Sequence, residues 1–256
     1  MGKAMVSRTL SVHKEHEFLL KLETAGLSDE FAQRVIDSKG NYLATKVVRL
    51  IQSDGFELTT SQKRAREIMG KNFFGIEEAK YFGVNPTPWQ LGALLRIPFS
   101  EVVLEESKNT HVLVAVFPLS ILEIRDKVER NLFFNHEDAW YNNQSFAKKI
   151  DKVSWQLVRK IPVDNSISKD WYKQRLLLGQ DDEVPNANVM VYTIIGHFLA
   201  TGERLFENIY VHCLDVDSDG YRVSVGNFAL NGLVIGNDWI LLSCLFGFGL
   251  ASARKF

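Results

Sequence analysis

The stretch Ala187 to Gly202 constrains this chain most. It reads ANVMVYTIIGHFLATG, and Met190, Val191, Ile194, Ile195 and Phe198 make it the most apolar helix-like segment in the sequence. A helix with so wide an apolar face is buried, so it should be the main helix packed against a sheet. His111 to Phe117, HVLVAVF, is a run of β-branched and aromatic residues closed by Pro118, and it reads as a buried strand of that sheet. Ser154 to Val163 alternates well enough for a second strand, while Ile209 to Leu214, Tyr221 to Val225 and Leu250 to Arg254 read as short ones. With a further helix over Ser168 to Gly179, the pattern is that of an α+β domain beginning near residue 96.

Ahead of it, residues 1–95 read as short helices broken by Gly26, Gly40, Gly55, Gly70, Gly75 and Gly83. Leu19, Leu20 and Leu22 precede Gly26. Ser28 is an N-cap for a helix carrying Phe31, Val35 and Ile36, and Ala44, Val47, Val48 and Ile51 follow at helical spacing. Thr60 caps a helix to Met69, and Thr87-Pro88 opens another, proline being tolerated at the first helical position. The expected organisation is a small helical module over 1–95 and a second domain over 96–256.

At 256 residues and 46% hydrophobic, the chain can bury a proper core. A net charge of -1 lacks the basic excess of a nucleic-acid protein, and Lys63, Arg64 and Arg66 read as a solvated helix face. Cys213 and Cys244 have no metal-ligand spacing and cannot make a disulfide scaffold. The start, MGKAMVSRTLSVHKEHE, has no apolar core before its charges, so no signal peptide is visible and synthesis in the cytoplasm is expected.

The C-terminus, NFALNGLVIGNDWILLSCLFGFGLASARKF from Asn227 to Phe256, differs in residue usage from the chain that carries it. Between Asn208 and Arg254 there is no Glu, Lys, Gln or Met, although residues 1–207 hold 17, 16, 8 and 4 of them. Strand and turn preferences explain part of this depletion. A genetic filter explains more: an Asn codon ending in a pyrimidine, randomised at its adenines, reaches every amino acid except Glu, Lys, Gln, Met and Trp. Within 227–250 only Trp239 breaks that rule.

One fixed Trp in such a run, followed by the tail LASARKF, resembles the hypervariable ends of diversity-generating retroelement proteins. The matching framework is Val225, Gly226, Phe228, Gly232, Leu233, Trp239, Gly249 and Ala251 to Lys255. The wider frame resembles proteins of uncultivated archaea, their viruses and candidate bacterial phyla. The resemblance implies a C-type lectin fold of the formylglycine-generating-enzyme-like subclass over 96–256, with a variable region at about 227–249 displayed as a ligand-binding face. In that fold the first and last strands lie side by side, which puts Val112 to Val116 against Leu250 to Arg254. The positions implied to vary, and so to touch ligand, are Ala229, Leu230, Asn231, Val234, Ile235, Gly236, Asn237, Asp238, Ile240, Leu241, Leu242, Ser243, Cys244, Leu245, Phe246 and Gly247. The implied partner is a protein or cell-surface target, reached by surface display or virion association, and the apolar variable residues would favour self-association.

Other chemistry is thinner. DVDSDG, Asp215 to Gly220, opens like a calcium loop, but its twelfth position is Gly226 instead of a bidentate Glu, so an acidic hairpin turn on Asp219-Gly220 is expected. Neighbouring residues point in different directions, so His136, Glu137 and Asp138 do not make a ligand set, and His197 reads as a core or boundary histidine. His13 and His16 share a helical face with no further ligand. There is no phosphate-binding loop, nucleophile elbow, zinc-protease motif or dinucleotide fingerprint. The run Trp239 to Ala253 is too short to span a membrane, which takes about twenty apolar residues. A buried strand pair is the competing reading of that run, with Gly247 and Gly249 as bends. The expectation is thus a binding protein without catalysis, cofactor or metal. The alternatives are a formylglycine-generating-type oxidase or other enzyme on the same fold, and a structural virion or envelope protein.

Overall fold

The computed structural model describes residues 10–52, 59–238 and 247–255. The chain divides into two compact units, Met1–Phe56 and Glu57–Phe256. The first holds α1 (Val12–Thr24), α2 (Asp29–Ile36) and α3 (Tyr42–Gln52). Ser11 and Ser28 cap the first two, their hydroxyls accepting from the backbone N–H of Lys14 and Phe31, and neither helix has a buried residue.

The second unit begins with β1 (Thr60–Ser61), α4 (Gln62–Met69), β2 (Phe73–Phe74), α5 (Pro88–Ala93), β3 (Arg96–Ile97) and α6 (Glu101–Ser107). It continues through β4 (His111–Val116), α7 (Ile121–Lys127), α8 (Ser145–Lys148), β5 (Ser154–Arg159), α9 (Trp171–Leu176), β6 (Asp182–Glu183) and α10 (Ala187–Thr201). It ends with β7 (Tyr210–Val216), β8 (Arg222–Ala229), β9 (Gly232–Asn237), β10 (Gly249–Leu250) and β11 (Ala253–Arg254). Mixed helix and sheet in one unit is the α+β class expected.

The boundary differs from the expected one. Residues 59–95 belong to the second unit, because β2 pairs in parallel with β4, Phe73 opposite Leu113 and Phe74 opposite Val114. Phe74 then meets Tyr192 of α10 edge-on at 5.9 Å, and Phe82 lies 4.6 Å from the same ring. Long-range aromatic packing of this kind leaves no periodic trace in a run of short helices.

A five-stranded sheet has the order β2-β4-β5-β11-β6, a four-stranded sheet the order β10-β7-β8-β9, and β1 pairs with β3. Helix α10 packs against strands of both larger sheets, which is why every residue from Ala187 to His197 is buried. Gly196 allows the closest approach: a Cβ there would stand 2.9 Å from the Phe74 ring.

The pairing expected between Val112–Val116 and Leu250–Arg254 does not occur. β4 pairs along all six residues with β5, from His111↔Arg159 to Val116↔Ser154, and β11 lies on the far side of β5. Six paired residues outweigh the two that β11 offers. The expected strand over Leu250–Arg254 is itself split: Gly249 and Leu250 pair in parallel with Val211 and His212, whereas Ala253 and Arg254 pair with Val158 and Leu157. The chain crosses between the sheets there, Ala251 N–H donating to His212 O and Arg159 N–H to Ser252 O.

Candidate ligand-binding site

The implied variable positions begin on the β8–β9 hairpin, whose register runs Val223↔Asn237, Ser224↔Gly236, Val225↔Ile235 and Gly226↔Val234. Val223, Val225, Leu233 and Phe228 face the core. Gly226 is obligatory, since a Cβ there would meet Ile209 O at 2.1 Å. Ala229, Leu230 and Asn231 form the turn end of the hairpin, with Leu230 86% exposed, and Val234 and Gly236 are half-buried on the outward side of β9.

Four of the expected display positions behave otherwise. Ile235 is only 4% exposed, because strand alternation carries it with Leu233 into the core opposite Val225. Asn237 donates its amide to Asp217 Oδ2 at 2.7 Å, and Asp238 N–H donates to Arg222 O, so both are tied into the fold. Gly247 is half-buried at a φ of 71°, a left-handed conformation that side chains other than glycine's rarely adopt. Ile240, Leu241, Leu242, Ser243, Cys244, Leu245 and Phe246, with the framework Trp239, lie outside the described residues.

The sequence reading passed over His212. It is 2% exposed on β7, its ring stacked on Phe248 at 5.2 Å and met edge-on by Trp171 at 6.3 Å. Gln174, fully buried on α9, donates through its amide nitrogen to Ser166 O and Phe248 O. Its oxygen is left to accept from His212 Nδ1 at 2.7 Å. On the other side, the Asp238 carboxylate stands 2.7 Å from His212 Nε2. The imidazole therefore hydrogen-bonds Gln174 through Nδ1 and has the Asp238 carboxylate beside Nε2, where β7, α9 and the end of β9 meet. Its only sequence signal is the alternation Tyr210, His212, Leu214 along β7, with a polar residue on a half-covered face.

DVDSDG forms the β7–β8 turn. Asp217 Oδ1 accepts from the backbone N–H of Asp219 and Tyr221, each at 2.9 Å, and Oδ2 from Asn237, so its oxygens are committed within the turn. Asp215 instead caps α10, accepting from Ala187 N–H at 2.6 Å. Glu137 pairs with Arg130 at 2.6 Å and joins neither neighbour in a cluster. His197 is buried on α10 with Nε2 3.4 Å from Glu203, and burial lowers its pKa. His13 lies 4.0 Å from Glu17. Arg64 and Arg66 pair with Glu67 and Glu101, and with Glu77 and Glu78. Cys213 is buried and desolvation pushes its thiol pKa well up, which makes it a poor nucleophile. Among the described residues there is no group of three or more His, Cys, Asp or Glu placed to hold a metal, and no helix long and apolar enough to cross a membrane.

No protein-family model, curated protein or solved structure matches this chain.

Proposed function

We propose that this chain is a ligand-binding protein that displays a hypervariable, retroelement-diversified surface on a C-type lectin-like scaffold, for recognition of a protein or cell-surface target. The observation that carries the reading is the absence of Glu, Lys, Gln and Met from Asn208 to Arg254, in a chain otherwise rich in them. The arrangement around β8 and β9 supports it: the buried frame of Val225, Phe228 and Leu233 holds the hairpin, while Ala229, Leu230, Asn231 and Val234 stand where a side chain can change at small cost. The mixed α+β class of the second unit supports the scaffold only at that level, since the side-by-side first and last strands that the resemblance implies are absent among the described residues.

Binding is the reading favoured over catalysis: His212 is 2% exposed, and its Nδ1 is hydrogen-bonded to Gln174. The proposal also narrows the display set: Ile235, Asn237 and Asp238 belong to the frame. Sequencing sister copies of the locus tests it. Differences concentrated at adenine-templated codons between Phe228 and Gly249 are expected, together with a template repeat and a reverse-transcriptase gene nearby. Substitutions scattered evenly along the chain would sink it.

A further inference from the structure

We infer that α1, α2 and α3 are an interface for a second copy of this chain, so that two chains pair through their first units into one helical core. No described residue from 10 to 51 is buried. The three helices are 13, 8 and 11 residues long, and helices of this length are marginal in water unless an apolar face is packed. The caps at Ser11 and Ser28 and the packing of α2 on α3 give the module its shape without giving it a core.

Apolar side chains are nonetheless plentiful. Eleven large hydrophobics between Leu10 and Ile51 are at least 38% exposed, among them Phe31 at 50%, Ile36 at 73% and Val48 at 51%. Along α3, Ala44, Val48 and Ile51 recur at the spacing of one helix face, with Leu43, Val47 and Leu50 on the stripe beside it. At about 200 Å² for a whole large side chain, the eleven leave on the order of 1,000 Å² of apolar surface, whereas each side of a stable interface takes about 800 Å², little over half of it apolar. The area suffices for a dimer with part of it left outside.

Charge selects the occupant. Residues 1–56 carry eight Lys or Arg and seven Asp or Glu, interspersed in sign. A strongly acidic or basic partner gains nothing from such a surface. Helix α1, with Glu15, Glu17 and Glu23 against Lys14 and Lys21, also lacks the basic polar face of a helix that lies on an anionic membrane. Two identical near-neutral modules approach without net repulsion, and a two-fold axis puts the same apolar patch on both sides of the contact. Two helices joined by a short turn are half of a four-helix bundle, and the second copy supplies the other half to α2 and α3.

The test is sedimentation velocity of the full chain over roughly a hundredfold range of concentration. Expected is a dimer at the upper end that gives way to monomer on dilution, with a dissociation constant raised roughly tenfold or more by Ile36→Glu with Val48→Glu and unchanged by Ile36→Met. Both sites are exposed in the single chain, so the melting temperature of the dilute protein should not move. The dimer should persist in Leu241→Asp with Leu245→Asp, which removes only association through the variable positions. A chain that is monomeric throughout overturns the proposal, and so does a dimer that survives Ile36→Glu with Val48→Glu or is lost instead in the Leu241 and Leu245 variant. Capture of the parent by vesicles of phosphatidylcholine with phosphatidylglycerol, in place of dimerisation, overturns it in favour of a lipid surface.

Discussion

The carboxylate of Asp238 and the buried imidazole of His212 stand 2.7 Å apart, joining the end of β9 to β7 beneath the Phe248 ring. The contact places Asp238 in the frame although Asp is among the amino acids that such a randomised codon can reach. Removing the carboxylate leaves a polar ring nitrogen buried without its partner, so Asp238→Ala should cost about 1–3 kcal/mol in urea denaturation. An unchanged midpoint would return Asp238 to the display set.

Along the hairpin, neighbouring positions should differ sharply. Leu230→Asp is expected to change stability by within about 0.5 kcal/mol, whereas Ile235→Asp puts a carboxylate into the core and should cost several kcal/mol. Thermal melts of the two variants decide it; similar losses in both would mean that the hairpin tip is packed.

For the residues beyond Trp239 the sequence reading alone supplies the expectation. Leu241→Asp with Leu245→Asp should leave the melting temperature nearly unchanged and reduce self-association, read by sedimentation. Unfolding of that double variant would favour a buried strand pair over display.

Acid should weaken the fold through His111. Its pKa is lowered from 6.5 to about 4, chiefly by burial and then by Arg159 and Arg254. As pH falls, the unfolded chain takes up this proton before the folded one, so stability is full above about pH 6.5 and declines down to about pH 4. The loss is up to about 3 kcal/mol on that shift. His197, also lowered by burial, acts in the same direction. His111→Gln should flatten this limb of a stability profile against pH, and an unaltered limb would exclude the assignment.

Calcium titration of the chain should give no tight binding at Asp215 to Gly220, because Asp217 already accepts three hydrogen bonds. A melting temperature rising strongly with calcium would contradict this.

What could be read beforehand follows from how local each cause is. The apolar run of α10 and the β-branched run of β4 announce themselves, and Ser28, Thr87 and the Asp219-Gly220 turn act within a few residues of where they stand. Phe73 and Phe74 were hidden because their partners lie on β4 and α10. Leu250 to Arg254 looks like one strand, and only the separate demands of His212 and Arg159 divide it. The role of His212 depends on Gln174 and Asp238, which come from two other elements. Ile235 was legible in principle, since Leu233 and Ile235 already alternate.

The crossing of residues 249–254 between the sheets bears on how the chain is made. Among the described residues, β6 has β11 as its one sheet partner, and β10 edges the second sheet against β7. As the chain leaves the ribosome, α10 and the long strands can assemble in order, but one edge of β5 stays open until Ala253 and Arg254 emerge. An unpaired strand edge invites pairing with other chains. Translation halted before these codons therefore leaves a product without the buried Ala253 and with a sheet that cannot close, prone to aggregate instead of persisting as a shortened protein.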